Sequence, residues 1–198
     1  TSNPLENLQA QKVNASLINI IAIGEGLLEG AGLSDSAGDE LIVAQIVQTL
    51  KTGTDISSAA SIKSIIDTTS AGLSDAIKTK VDVLSNNVAQ SLANTNAQIN
   101  DAGSVSQIAT YQKATLDDTS SLLSSVIAAV QSDSSTLEVV TATSIETQAK
   151  AAALDLGVNV SPFITLDSVV SIKENILAGD GVLTAVISDP EGEAVTLV

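Results

Sequence analysis

The strongest structural signal in this sequence is Val81-Asp-Val-Leu-Ser-Asn-Asn-Val-Ala-Gln-Ser-Leu-Ala-Asn-Thr-Asn-Ala-Gln-Ile99, in which apolar residues recur every three or four positions. Because an α-helix turns once in about 3.6 residues, Val81, Leu84, Val88 and Leu92 fall on one side of a single helix. Ser, Asn and Gln occupy much of the remainder. The stretch therefore predicts an amphipathic helix whose apolar side packs against other elements.

Helical spacing continues on both sides of this stretch and predicts five or six amphipathic helices. Their approximate ranges are 5–30, 36–51, 57–70, 74–100, 104–132 and 134–154. The segments 74–100 and 104–132 would each be about 40 Å long at 1.5 Å per residue. Only Asp101-Ala-Gly103 separates them, and a short link makes consecutive helices antiparallel neighbours. We therefore expect a mainly α protein whose residues 1–156 form an up-down multi-helix bundle.

A repeated tetrapeptide supports two of these helix junctions. Gly32-Leu-Ser-Asp35 and Gly72-Leu-Ser-Asp75 each place a glycine where a left-handed residue commonly ends a helix. The leucine that follows can fold back on the preceding helix, and Ser or Asp can cap the next one. Two copies of four residues mark junctions and do not establish a repeat architecture, which needs three or more units.

The composition excludes several classes of function. The chain has 23 acidic and 8 basic residues and a net charge of −15, so it should repel nucleic acid and anionic lipid. It contains no Cys and no His, which leaves no disulfide, no Cys/His zinc site and no Ser-His-Asp triad. Any metal site must use oxygen ligands, which favours Ca²⁺ or Mg²⁺. With 44% hydrophobic residues the chain can bury a core.

The composition also bears on location. A Cys-free, acidic sequence rich in Ser, Thr and Asn is typical of large bacterial proteins exported to the cell surface, so we expect an extracellular setting. The N-terminus shows no basic region followed by an apolar core, hence no visible signal peptide. Leu17–Ile23 is the most apolar stretch and is far shorter than the roughly 18 residues of a spanning helix. We expect no membrane insertion.

The pattern changes after Leu156. Gly157, Asn159 and Pro162 interrupt the helical spacing, which predicts a linker at 157–162. The remaining residues, 163–198, favour β-structure. The predicted strands are Phe163–Leu166, Val169–Lys173 and Val182–Ile187.

Two segments of this C-terminal part resemble cadherin repeats. Pro162–Asn175 is similar to the first strand of such a repeat, with a Glu-Asn pair at its end, and Ala185–Gly192 is similar to the second strand and the acidic turn after it. The resemblance implies the first strands of a cadherin-like (Ig-like) β-sandwich, incomplete at Val198. By the same resemblance Glu174, Asp189 and Glu191 are the expected Ca²⁺ ligands.

The resemblance leaves two points open. Two oxygen ligands of the family's linker correspond here to Val160 and Ser161, so Glu174 and Glu191 are equally well interpreted as solvated charges at strand ends. An isolated pair of strands is at best marginally stable in water. Strands of the same polypeptide, or strands of a neighbouring copy, would therefore have to complete the sandwich.

Two further motifs favour ordinary structure over chemistry. The segment Gly24-Glu-Gly-Leu-Leu-Glu-Gly30 superficially resembles a dinucleotide-binding loop. Its two glutamates would place negative charge beside the phosphates of the ligand, so a helix end followed by a loop is the preferred interpretation. Asp117 and Asp118 are adjacent in the predicted helix 104–132 and point about 100° apart, so they form no facing pair. Asp39 and Glu40 complement a helix dipole. We expect no catalytic and no cofactor-binding residue.

Three functional hypotheses remain. The preferred one is a non-enzymatic structural or adhesive module of a large, calcium-associated bacterial surface protein, in which the bundle joins β-repeats. The second is a subunit of a self-assembling extracellular layer or filament. The third, least favoured, is an enzyme that uses nucleotide or carboxylate chemistry. The expected partners are adjacent repeats of the same polypeptide or neighbouring copies of the chain.

Overall fold

Seven helices account for most of the structure, a computed structural model that describes residues 4–117, 121–156, 163–166 and 185–188. The helices are α1 (Pro4–Gly30), α2 (Asp35–Lys51), α3 (Ala59–Ser70), α4 (Asp75–Asp101), α5 (Val105–Leu116), α6 (Leu122–Gln131) and α7 (Ala142–Leu156). The mainly α fold and the helical bundle are thereby confirmed. Within the described residues, no helix is long and apolar enough to cross a membrane.

The segment 104–132 is two helices, so the prediction of one long helix is wrong. Asp117 ends α5 in an extended conformation, with φ −62° and ψ 144°. Ser121 then begins α6 with a capping box, in which Ser121 Oγ accepts from the Ser124 backbone N–H at 3.2 Å and Ser124 Oγ accepts from the Ser121 backbone N–H at 3.0 Å. Side chains of Asp and Ser favour caps over helix interiors. Asp117 therefore lies at a helix end, and Asp118 lies outside the described residues.

The last helix also begins later than expected, at Ala142 rather than at residue 134. Residues 136–141 are not helical, because polar side chains of α4 bind their backbone. The Asn87 side chain donates to the Leu137 carbonyl at 2.7 Å, and that of Asn94 donates to the Val140 carbonyl at 2.8 Å. Ser91 Oγ accepts from the Val140 N–H at 2.9 Å. These bonds replace the ones that a helix would have made.

The apolar residues form two clusters, and α1 and α4 contribute to both. The larger cluster joins the second half of α1 to α2, α3, α4 and α6 around fully buried residues such as Ile23, Ile65 and Leu92. The smaller cluster surrounds Ile99 and Tyr111, near the N-terminal half of α1, with residues of α5 and α7. Aliphatic side chains and alanine supply almost all of this core, as expected for a chain with only two aromatic residues.

The glycines of the segment 24–30 lie inside α1, so the expected loop is absent. An ideal Cβ on Gly24 would lie 2.8 Å from Ile42 Cδ1, one on Gly26 would lie 2.6 Å from Leu123 Cδ1, and one on Gly30 would lie 2.2 Å from Val130 Cγ1. Each distance is below an ordinary carbon–carbon contact of about 3.5–4.0 Å. The glycines therefore allow α2 and α6 to approach the backbone of α1.

The two tetrapeptides mark helix junctions as predicted, but their glycines differ. Gly32 has φ 109°, its N–H donates to Glu29 O, and the Leu33 N–H donates to Leu28 O, which is a Schellman motif. Gly72 does not have a positive φ, and α3 ends at Ser70 with Ala71 in the right-handed helical region. The prediction of a glycine with left-handed backbone conformation is therefore confirmed at the first junction and wrong at the second.

The C-terminal part contains two described strands, β1 (Phe163–Leu166) and β2 (Ala185–Ser188). They pair antiparallel, with Phe163 opposite Ser188 and Leu166 opposite Ala185. β1 has the predicted bounds, whereas β2 begins three residues after the predicted Val182 and ends one residue after Ile187. The predicted strand Val169–Lys173 and the linker 157–162 lie outside the described residues.

Candidate functional site

The three predicted calcium ligands belong to the C-terminal part of the chain. Glu174, Asp189 and Glu191 lie outside the described residues. Among the residues that the structure does describe, no three or more carboxylates come together as a metal site would require. Asp39 and Glu40 are exposed in the second turn of α2, which begins at Asp35, and so lie beyond the first turn in which a carboxylate complements the helix dipole.

The structure brings together a different group of side chains, in a cleft between α1, α4 and the loop that joins α2 to α3. The cleft has a volume of about 380 Å³. Its polar lining residues are Lys12, Ser16, Asp55, Ser57, Asn96 and Asn100. Its apolar lining residues are Val13, Leu17, Ile20, Ile56, Ala93 and Ala97.

Asn96 is the most buried polar residue of this cleft, with 2% of its surface exposed. Its Oδ1 accepts from Asn19 Nδ2 at 3.3 Å, which ties α4 to α1. Asn19 itself is fully buried. Within the described part of the chain, Asn96 Nδ2 and Asn19 Oδ1 have no hydrogen-bond partner. A buried amide atom without a partner costs about 1–3 kcal/mol, so the pair is a costly feature of the core.

Lys12 supplies the positive charge of the cleft. Its Nζ donates to the backbone carbonyl of Asn100 at 2.7 Å, near the C-terminal end of α4. A cation is favourable there because helix carbonyls without helical partners carry partial negative charge. An ammonium group has three N–H donors, so the bond to Asn100 leaves Lys12 able to donate to a ligand as well.

Asp55 supplies the negative charge, from the loop opposite the helices. Its Oδ1 accepts from the Ser57 backbone N–H at 2.8 Å, and its Oδ2 accepts from Ser57 Oγ at 2.9 Å. These two bonds, the backbone one first, lower the pKa of the Asp55 carboxyl below its ordinary value of 3.8 because they favour the charged form. Asp55 is therefore a fixed, exposed carboxylate at neutral pH.

The cleft thus combines an ammonium and a carboxylate with an aliphatic wall. Such a set can bind and orient a small polar molecule. The cleft was not predicted from the sequence, although one signal was present. Asn19 interrupts the apolar stretch Leu17–Ile23, and Asn96 falls between Leu92 and Ile99 on the apolar side of α4.

A second feature is an exposed apolar row on α2. Val43, Val47 and Leu50 are 40%, 43% and 48% exposed and are spaced four and three residues apart, so they lie on the same side of the helix. Ile42 and Ile46 of the same helix are buried. The helix is therefore apolar toward the core and also on part of its outer surface.

No protein-family model matches this chain. No curated protein and no solved structure matches it either.

Proposed function

We propose that this chain is a non-enzymatic structural or adhesive module of a large, calcium-associated bacterial surface protein, in which the helical bundle is joined to a cadherin-like β-sandwich. The supporting observation is the antiparallel pairing of β1 with β2. These strands lie in the two segments that resemble the first and second strands of a cadherin repeat. Consecutive strands of antiparallel sandwiches commonly pair in this way.

In this proposal Glu174, Asp189 and Glu191 bind Ca²⁺. Carboxylate oxygens are the ligands that Ca²⁺ prefers. Glu174 lies at the end of the segment that resembles the first strand of a cadherin repeat, and Asp189 and Glu191 lie in the acidic turn after the segment that resembles the second. The setting is extracellular, where calcium is abundant enough for weak sites. The partners are adjacent repeats of the same polypeptide.

Calcium titration of the isotope-labelled chain tests the proposal. Millimolar Ca²⁺ should shift the backbone amide resonances of residues 163–198 in a saturable way, and Glu174→Gln or Asp189→Asn should weaken the effect. The matched control is Asp39→Asn, which removes an exposed carboxylate of the bundle. Shifts that are equally large with Mg²⁺, or unchanged in both variants, would contradict a calcium site at these residues.

A second candidate function is a subunit of a self-assembling extracellular layer or filament. The exposed row Val43, Val47 and Leu50 favours it, since an apolar helix surface can bury itself against another copy. Sedimentation of the native chain and of Val47→Lys separates the two candidates. Assembly that is lost in the variant supports the filament, whereas a monomer at all concentrations supports the module.

A further inference from the structure

We propose that the outer surface of α2 binds the same surface of a second copy of this chain, as an antiparallel pair of helices with two-fold symmetry. In this pair Glu40 of each copy lies beside Lys51 of the other, and Ala44 lies beside Val47. The inference rests on the second candidate function in one respect, that α2 meets another copy, and it specifies how the two copies meet. It involves neither calcium nor residues 163–198.

The outer surface of α2 is open to a partner. Among the described elements, α2 packs against only α1 and α3. Ile42 and Ile46 are buried in the core on that side, whereas Val43, Val47 and Leu50 are exposed. A second copy can therefore reach this surface without displacing any described element.

Four exposed residues of this surface form a line that ends in opposite charges. They are Glu40, Ala44, Val47 and Lys51, and their spacings of four, three and four positions keep them on one side of the helix. Glu40 and Lys51 are about 16 Å apart along the helix axis at about 1.5 Å per residue, which is too far for them to pair with each other. Neither residue forms an ion pair within the described part of the chain. Both charges can therefore pair with groups of a partner.

The order of the residues along this line decides the orientation of the partner. With the two-fold axis between residues 45 and 46, an antiparallel pair brings Glu40 to Lys51 at both ends and Ala44 to Val47 at the centre. A parallel pair in register would instead place Glu40 beside Glu40 and Lys51 beside Lys51, and like charges repel. The small side chain of Ala44 leaves room for Val47 of the other copy, so the helix axes can approach to about 8–10 Å. The surface is complementary to itself, which favours a second copy as the partner.

The contact is expected to be weak and limited to a dimer. Stable interfaces bury about 1,200–2,000 Å² in total, more than a line of about 16 Å on one helix can supply. The charge of −15 on each copy adds repulsion. We expect a Kd on the order of 0.1–1 mM at about 0.15 M salt. A two-fold contact uses the same surface on both copies and therefore stops at two, so a layer or filament would need a further contact.

Disulfide capture tests the geometry, and the native chain suits this method because it contains no Cys. In Val47→Cys the two thiols would lie about 4.5 Å apart along the helix axes, within reach of a disulfide, so mild oxidation should give a covalent dimer. In Leu50→Cys they would lie about 14 Å apart along the axes and should not link, although a parallel pair would link both variants. Val105→Cys replaces a 52% exposed valine of α5, so it controls for random collision and should stay monomeric.

Charge exchange tests the pairing of Glu40 with Lys51. Glu40→Lys gives the line two basic ends and Lys51→Glu gives it two acidic ends, so each variant should self-associate at least about fivefold more weakly than the native chain in sedimentation equilibrium. A mixture of the two variants again has opposite charges at both ends and should associate about as tightly as the native chain. Glu138→Lys makes the same change at an exposed residue outside α2 and should leave the native Kd nearly unchanged.

Three results would overturn the inference, in variants that circular dichroism shows to be folded. The first is a native chain that stays monomeric at about 1 mM, together with no more covalent dimer in Val47→Cys than in Val105→Cys; this result would remove the second candidate function as well. The second is equal capture of Leu50→Cys and Val47→Cys, which excludes the antiparallel register. The third is self-association that Glu40→Lys and Lys51→Glu leave unchanged, which would refute the α2 contact but retain self-assembly through another surface.

Discussion

Replacing Gly30 by alanine should destabilise the bundle because the added methyl group has no room. Its Cβ would lie 2.2 Å from Val130 Cγ1, and Val130 is 1% exposed. An ordinary contact is about 3.5–4.0 Å, so either the Val130 side chain or the whole of α6 must move by more than about 1 Å. A valine in a helix has one strongly preferred side-chain rotamer, which makes the first movement costly as well.

The expected magnitude is the difference between two effects. Overpacking a core commonly costs about 1–3 kcal/mol, and the severe overlap places Gly30→Ala in the upper part of that range. Alanine in place of glycine favours a helix by up to about 1 kcal/mol, which offsets part of the loss. We expect a net loss of about 1–2 kcal/mol, or a melting temperature lower by about 2–8 °C for a chain of this size.

Urea unfolding followed by far-ultraviolet circular dichroism measures the change, since the helices dominate that signal. Gly72→Ala is the matched control, because no atom lies within 4 Å of its added Cβ and its φ is not positive, so that variant should be neutral or slightly stabilised. Gly24→Ala should lie between them, since its Cβ meets the terminal Cδ1 of Ile42 at 2.8 Å, an atom that a flexible side chain can move.

A double variant separates the clash from other causes. Val130→Ala removes the Cγ1 atom, so Gly30→Ala should cost at least about 1 kcal/mol less in that background than in the native chain. Equal costs in both backgrounds would refute the reasoning. The same conclusion would follow if Gly30→Ala and Gly72→Ala had the same stability.

Two further predictions concern buried polar groups. Asn19→Ala should lower the free energy of unfolding in urea by about 1–3 kcal/mol, because it leaves the Asn96 amide with no hydrogen bond to α1. Adding Asn96→Ala to this variant should lower it little further, since the two side chains are partners. If the losses of the two single variants simply added, the coupling would be contradicted. Burial first, then the carboxylates of Glu146 and Asp101, raises the pKa of Tyr111 above 10.0, so the absorbance of the single tyrosine should titrate above that value when folded and at it in denaturant. Because the pKa of Tyr111 is higher in the folded chain than in the unfolded chain, the contribution of Tyr111 to stability is complete below pH 10 and falls as the pH rises through the folded pKa. If Tyr111 titrated at its ordinary pKa in the folded chain, the prediction would be contradicted.

Sequence periodicity predicted the first four helices to within about two residues because it reflects a local property. Residues three and four apart share a side of a helix whatever the rest of the chain does, and the apolar row from Val81 to Ile99 is accordingly buried at Leu84, Val88 and Leu92. Local turn chemistry likewise predicted the left-handed glycine that follows α1 at Gly32, although the same pattern failed at Gly72. The capping box at Ser121 is also local, and the polar residues around it are the signal in the sequence that divides the segment 104–132 into two helices.

The sequence by itself determined a helical, aliphatic-cored bundle and the composition limits on its chemistry. Only the tertiary structure decided which faces meet: that Gly26 and Gly30 admit α6, that Asn94 holds residues 136–141 out of a helix, and that Asn19 pairs with Asn96 beside a cleft. The physical reason is that these contacts join residues tens of positions apart. Spacing along the chain carries no information on such distances, which are set by how complementary helix surfaces pack together.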